Sequence, residues 1–173
     1  MEALGRLLDI SVGIAPLDLQ TARTGKRVTL KRSQSVMVVC HKGIGTAADD
    51  PTLTLKEHSA YTSGTSQNLA TITQYYVKTA TTPGLVGTET WSKVTQAAAA
   101  TIADPGGAGT SAESEQIVVF HVDGTELSDG FTHISVDIGD VGTNAQLGGV
   151  LYFLTDLYAA RKPANLRAGL ESA

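Results

Sequence analysis

The chain has 173 residues, 42% of them hydrophobic and 17% charged, with a formal net charge of −4. That length suits one domain with a proper core and falls short of two comfortable ones. The acidic balance argues against wrapping nucleic acid, which takes a clustered excess of Lys and Arg, and the one cysteine, Cys40, excludes a disulfide framework or a cysteine-built zinc site.

The opening "MEALGRLL" suits a turn or two that sets Leu4, Leu7 and Leu8 on one side. Its early acid and short apolar content are unlike a signal peptide, and no stretch approaches the ~20 apolar residues that span a bilayer. A soluble protein, made and kept in a reducing compartment until released, is the expectation. "LDISVGIA" (8–15), "KRVTLKR" (26–32), "SVMVVCH" (35–41) and "TLTLKEH" (52–58) then read as strands. In the last of them Leu53 and Leu55 alternate with polar neighbours, the period of two that marks one buried and one wet face. Lys26, Arg27, Lys31 and Arg32 read as a solvated edge. Cys40 lies in an apolar run and reads as a small buried hydrophobe. Between the third and fourth strands, Gly43, Gly45 and Ala48 match G-x-G-x-x-A, a loop that cradles a pyrophosphate when a helix follows it. Asp49, Asp50 and Pro51 follow instead, and carboxylates repel phosphates. The glycines therefore read as a plain connection between strands.

Further on, "SQNLATITQYY" (66–76) carries Leu69, Ile72, Tyr75 and Tyr76 at helical spacing, which predicts one short helix. "TQYYVKTA" (73–80) and "TWSKVTQ" (90–96) read as strands, with Trp91 expected to pack in the core. "EQIVVFHV" (115–122), "THISVDIG" (132–139) and "LGGVLYFLTDLY" (147–158) complete the set. In "THISVDIG" the apolar phase points inward, and His133, Ser135 and Asp137 are expected to face solvent. "HVDGTELSDG" (121–130) reads as a hairpin turn that would bring His121 near His133. The loops are "GIGTAADDP", "TTPGLVGTET" (81–90) and "DPGGAGTSAESE" (104–115). The expected inward set is Val36, Val38, Leu53, Leu55, Val118, Phe120, Ile134, Val136, Ile138, Val150 and Tyr152. With 22 threonines, 18 glycines and no long amphipathic helix, the chain reads as all-β. The predicted fold is a single domain over 1–173: an antiparallel β-sandwich or jelly roll with at most one or two short helices.

No constellation for chemistry stands out. The four histidines lack metal-ligand spacing, the aspartates fall on loops and strand ends, and no G-x-S-x-G elbow is present. No enzymatic activity, cofactor or metal is therefore expected. Tyr75, Tyr76 and Trp91 are the candidates for an aromatic platform that would hold a sugar. What remains is contact. The N-terminal segment (1–8) holds Leu4, Leu7 and Leu8; the C-terminal arm (161–173) starts at Arg161 and holds Leu166 and Leu170. These are too few for a core of their own and suit a partner's groove, so both segments are expected to be ordered chiefly by neighbouring subunits.

Three stretches carry a resemblance. They are "LDISVGIAPLDLQTARTGKRVTLKRSQSVMVVCHKGIG", "LTLKEHSAYTSGTSQNLATI" and "FTHISVDIGDVGTNAQLGGVLYFLTDLYAARKP", the last with F-x-x-I-x-V-x-I, G-x-V-L-Y and A-x-x-P. Over most of its length the chain resembles small virion proteins of tailed bacteriophages, of the minor capsid or decoration type. A longer stretch at roughly 60–115 sets it apart from simpler relatives. The resemblance implies a non-enzymatic structural protein of the virion capsid, made in the host bacterial cytoplasm. Its implied partner is the lattice of the major capsid protein, with no nucleic acid or membrane partner. It also implies a homo-oligomer, a trimer by the local threefold sites of an icosahedral shell. A tail-tube or tail-associated protein is the alternative, and a carbohydrate-binding module a more distant one.

Overall fold

Stretches of alternating Val, Ile, Leu and Thr cannot bury their apolar phase alone, and this chain pairs them into two antiparallel sheets laid face to face. The computed structural model describes residues 3–80, 84–103 and 113–166. Strands run in order β1 (Leu8–Asp18), β2 (Val28–Thr29), β3 (Ser33–Lys42), β4 (Leu53–His58), β5 (Ser66–Asn68) and β6 (Ile72–Thr79). They continue as β7 (Ser92–Ala99), β8 (Thr101–Ile102), β9 (Gln116–Asp123), β10 (His133–Ile138) and β11 (Leu147–Leu157). One sheet has six strands in the order β1-β11-β3-β9-β6-β7. The other has the order β2-β10-β4-β5, with β8 also pairing β4. The architecture is an all-β sandwich, and its described helical content includes two three-residue 3-10 turns, Gly124–Glu126 and Pro163–Asn165.

Every residue of the expected inward set is 2% exposed or less. Cys40 is buried among them, and desolvation pushes its thiol up to about 12, far from a reactive thiolate. The segment 43–52, where the glycine pattern lies, connects β3 to β4 without a helix.

Four local expectations are corrected. No helix forms over 66–76; β5 and β6 occupy it. A register shift between Ile72 and Gln74 lets Ile72 and Tyr75 face inward together although three residues apart, so a bulge in a strand imitates a helical period. β9 and β10 are not a hairpin, because they lie in different sheets. Asp123 and Glu126 form a capping box on the turn between them, which carries the chain across the sandwich and keeps His121 away from His133. His133 is buried rather than solvent-facing: Thr132 Oγ1 lies 2.9 Å from its Nδ1, and the Tyr61 ring packs 6.4 Å away. Trp91 is 49% exposed rather than in the core, because β7 is an edge strand and the Lys78 ammonium sits 4.7 Å over its ring.

Tyr152 and Glu57 are two of the polar groups built into the core. Tyr152, fully buried on β11, accepts a hydrogen bond at its hydroxyl from the Val136 N–H at 2.9 Å, which ties the two sheets together. Position 13 must lack a side chain beside it, since a Cβ there would lie 2.6 Å from the Tyr152 Cζ. Glu57 on β4 points inward opposite Ile134 and is fully buried. Its carboxylate accepts from Gln67 Nε2 (2.7 Å), the Ser128 N–H (2.8 Å) and the Ser128 hydroxyl (2.6 Å).

Candidate interaction surface

The first and last described segments, around Gly5 and Arg161, meet at one end of the sandwich. Leu7 N–H and Leu8 N–H both donate to the Ala3 carbonyl, closing a tight turn with Gly5 at φ +78°. The Arg161 N–H donates to the Gly5 carbonyl at 2.7 Å. A Cβ on Gly5 would come within 3.3 Å of Leu166 Cδ1, so Arg161 and Leu166 lie directly over the opening turn. Leu4, Leu8, Arg161 and Leu166 are thus brought together by this chain itself, and Leu170 falls outside the described residues. Leu4 is 39% and Leu7 63% exposed, so the turn still presents leucine outward. Beside it, a cleft of about 420 Å³ is lined by Asp9, Lys31, Arg32, Leu157, Arg161 and Leu166.

A second surface was not expected. In a sandwich one sheet face packs on the core and the other is usually polar. On the six-stranded sheet both are apolar. Cross-strand register sets Val12, Leu151, Val39, Val119 and Tyr76 in one continuous row over five strands, ending at Lys93 on β7. A parallel row holds Ile10, Phe153, Met37 and His121. Each of these alternates with a buried inward neighbour such as Val38, Val118 or Tyr152, so each points away from the core. Among the described residues charge stands at the margin: Lys78 and Lys93 on the β6–β7 side, Asp123 and Asp156 at one end, and the His41–Glu115 pair (2.7 Å) at the other. The sequence signal for this face was available. "VMVVC", "IVVF" and "VLYFL" are apolar on both phases, the pattern of a strand covered on both sides.

The other sheet's outer face is polar and partly roofed. Arg27 donates to the carbonyls of Ala60 (2.6 Å) and Ser63 (2.9 Å) and to Ser66 Oγ (3.0 Å), holding the 59–66 segment over β10. It is therefore a clamp rather than part of a solvated edge. Lys56 pairs with Asp137 at 2.7 Å, and Asp137 also accepts from the Gly25 N–H. Under the roof His58 bridges Ser66 Oγ (2.8 Å) and Ser135 Oγ (2.9 Å).

Burial first, and the Arg27 guanidinium second, lower His58 from 6.5 to about 4. The unfolded chain takes up a proton at this imidazole below pH about 6.5, while the folded chain resists until about 4. Stability tied to His58 is therefore complete above pH about 6.5 and drains away as pH falls towards 4. The melting temperature of the native protein should fall over this window more steeply than that of a His58→Gln variant. Parallel profiles would show that His58 titrates normally.

Among the described residues no three His, Cys, Asp or Glu side chains converge as metal ligands, and no helix is long and apolar enough to cross a membrane. The Tyr75–Tyr76–Trp91 platform is not assembled, because Tyr75 is buried on the inward phase while Tyr76 and Trp91 face out. Exposed apolar side chains gather at two places, the outer face of the six-stranded sheet and the opening turn with Leu4 and Leu7. Comparison with protein-family models, curated proteins and solved structures finds no match.

Proposed function

We propose that this chain is a non-enzymatic virion structural protein of a tailed bacteriophage, a minor capsid or decoration protein that attaches to the lattice of the major capsid protein. One observation carries the reading: the molecule exposes apolar side chains at two places, the sheet face and the opening turn, where Leu4 and Leu7 stand beside a cleft of mixed lining. A lattice component has to touch more than one neighbour, and many modest contacts repeated across a shell add up by avidity. The resemblance of the three sequence stretches points the same way. Such a protein associates with copies of itself and with the shell, needs no cofactor, and resides in the virion.

A tail-tube role would ask for a long apolar hairpin at 81–90. Over 84–90 there is no strand, and Glu89 closes the segment on itself by accepting from the Val86 and Gly87 N–H groups. That geometry favours the shell.

The test is antibody labelling of intact virions, with label over the head expected and label confined to the tail overturning the assignment. A companion measurement mixes undecorated capsids with a chain lacking residues 161–173. Occupancy should fall at least about tenfold, because the cleft wall formed by Arg161 and Leu166 is removed, while the cooperative melt persists. Unchanged occupancy would mean that the terminal end is not the shell-facing surface.

A further inference from the structure

We infer that the outer face of the six-stranded sheet is covered by a second copy of this chain, sheet against sheet, about a two-fold axis running along the strands. This deepens the reading of that face as a contact surface and does not depend on the capsid.

Area comes first. Six strands about 4.8 Å apart and about eight residues long give the whole sheet face, polar margin included, a footprint of roughly 800 Å², about what each partner buries in a stable dimer. Exposed apolar patches of free monomers rarely exceed a few hundred Å². The outward residues Val12, Met37, Val39, Val119, Leu151 and Phe153 have the composition of a sandwich interior, and β-sheets with such faces stack about 10 Å apart.

Register then selects the symmetry. The row Val12–Leu151–Val39–Val119–Tyr76–Lys93 maps onto itself in reverse when the two-fold axis runs along the strands between β3 and β9. Val39 then faces Val119 of the second copy, and Leu151 faces Tyr76. Lys93 lies over the β1 face, where Ile10 and Val12 carry no charge, and Lys78 lies over Gly149 of β11. An axis across the strands along this row would set Lys93 over Lys93, which like charges oppose. The pairing is thus two-fold, in contrast to the threefold that shell geometry suggests.

Sedimentation equilibrium of the full chain at 1–50 μM (about the range where such interfaces are occupied) should give twice the 18.0 kDa of one chain. Leu151→Lys or Tyr76→Glu alone should weaken the dimer by more than about 100-fold. Both positions are solvent-facing in the single chain, so far-UV circular dichroism and the cooperative melt should persist. An equimolar mixture of the two variants should regain the dimer by at least about tenfold, since the lysine of one then meets the glutamate of the other. A native chain that stays monomeric, a trimer, or a dimer untouched by both variants would overturn the inference. A mixture that fails to recover would overturn the axis. A monomeric native chain that still decorates capsids would sink the dimer and leave the virion role standing; a dimer that ignores capsids would do the reverse.

Discussion

Gly13→Ala should lower the melting temperature by roughly 5–15 °C, at 2–4 °C for each kcal/mol in a domain of this size. The new methyl would sit 2.6 Å from Cζ and 2.8 Å from the hydroxyl oxygen of Tyr152, which has no room to retreat. Overpacking a filled core costs about 1–3 kcal/mol. The displaced ring also gives up its bond to the Val136 N–H, which β2 does not reach: the β2–β10 ladder pairs only His133 and Ile134. An orphaned buried donor adds about 1–3 kcal/mol. Tyr152→Phe isolates that second part and should cost only it. The double variant should be less damaging than the sum, because both changes strike the same bond. Differential scanning calorimetry of the three proteins checks this. A Gly13→Ala protein that melts with the native one would show that Tyr152 is not held as described.

Glu57→Ala should lower the melting temperature by roughly 4–8 °C, and Glu57→Met by much less. The carboxylate gathers Ser128 and Gln67, so alanine leaves a cavity and releases the chain after Leu127, costing about 2 kcal/mol. Ser128 and Gln67 are themselves exposed, so water can take over their donors. Methionine refills the space without the cost of dehydrating a charge, and such exchanges are often close to neutral. If methionine proved as harmful as alanine, the hydrogen bonds and not the packed volume would be what Glu57 contributes.

The strands and their inward phase were legible in the sequence because they are local: Ile134, Val136 and Ile138 alternate, and alternation alone fixes which side is apolar. What covers the other side is not local. His133 was placed in solvent, yet Arg27 and Tyr61, distant in sequence, build the roof above it. The hairpin expected at Asp123-Gly124 failed for a similar reason. The dipeptide specifies a turn, but the Glu126 carboxylate three residues on bends that turn out of one sheet and into the other. Ile72 and Tyr75 misled because a bulge changes the period within a strand. Of the candidate site, Leu4, Leu8, Arg161 and Leu166 do converge, though on each other first. The broad sheet face was missed although its sign, apolar residues on both phases of β3, β9 and β11, was present in the text of the chain.

The place of β11 in the six-stranded sheet governs the order in which this protein can be made. It lies between β1 and β3, so two early strands have no partner for each other until the last one arrives. At ~5–20 residues per second, the roughly one hundred residues between β3 and β11 take about 5–20 s to synthesise. Throughout that interval β3 offers an open ladder edge, apolar on both sides, to any other nascent chain. Insertion of a central strand between distant segments is a slow, non-local event, so the sheet closes only once β11 has been made and has found both neighbours. Ribosomes translating neighbouring copies on one message would hold many such open edges close together. The requirement for rapid insertion of residues 147–157 therefore acts on the yield of folded protein before it acts on stability.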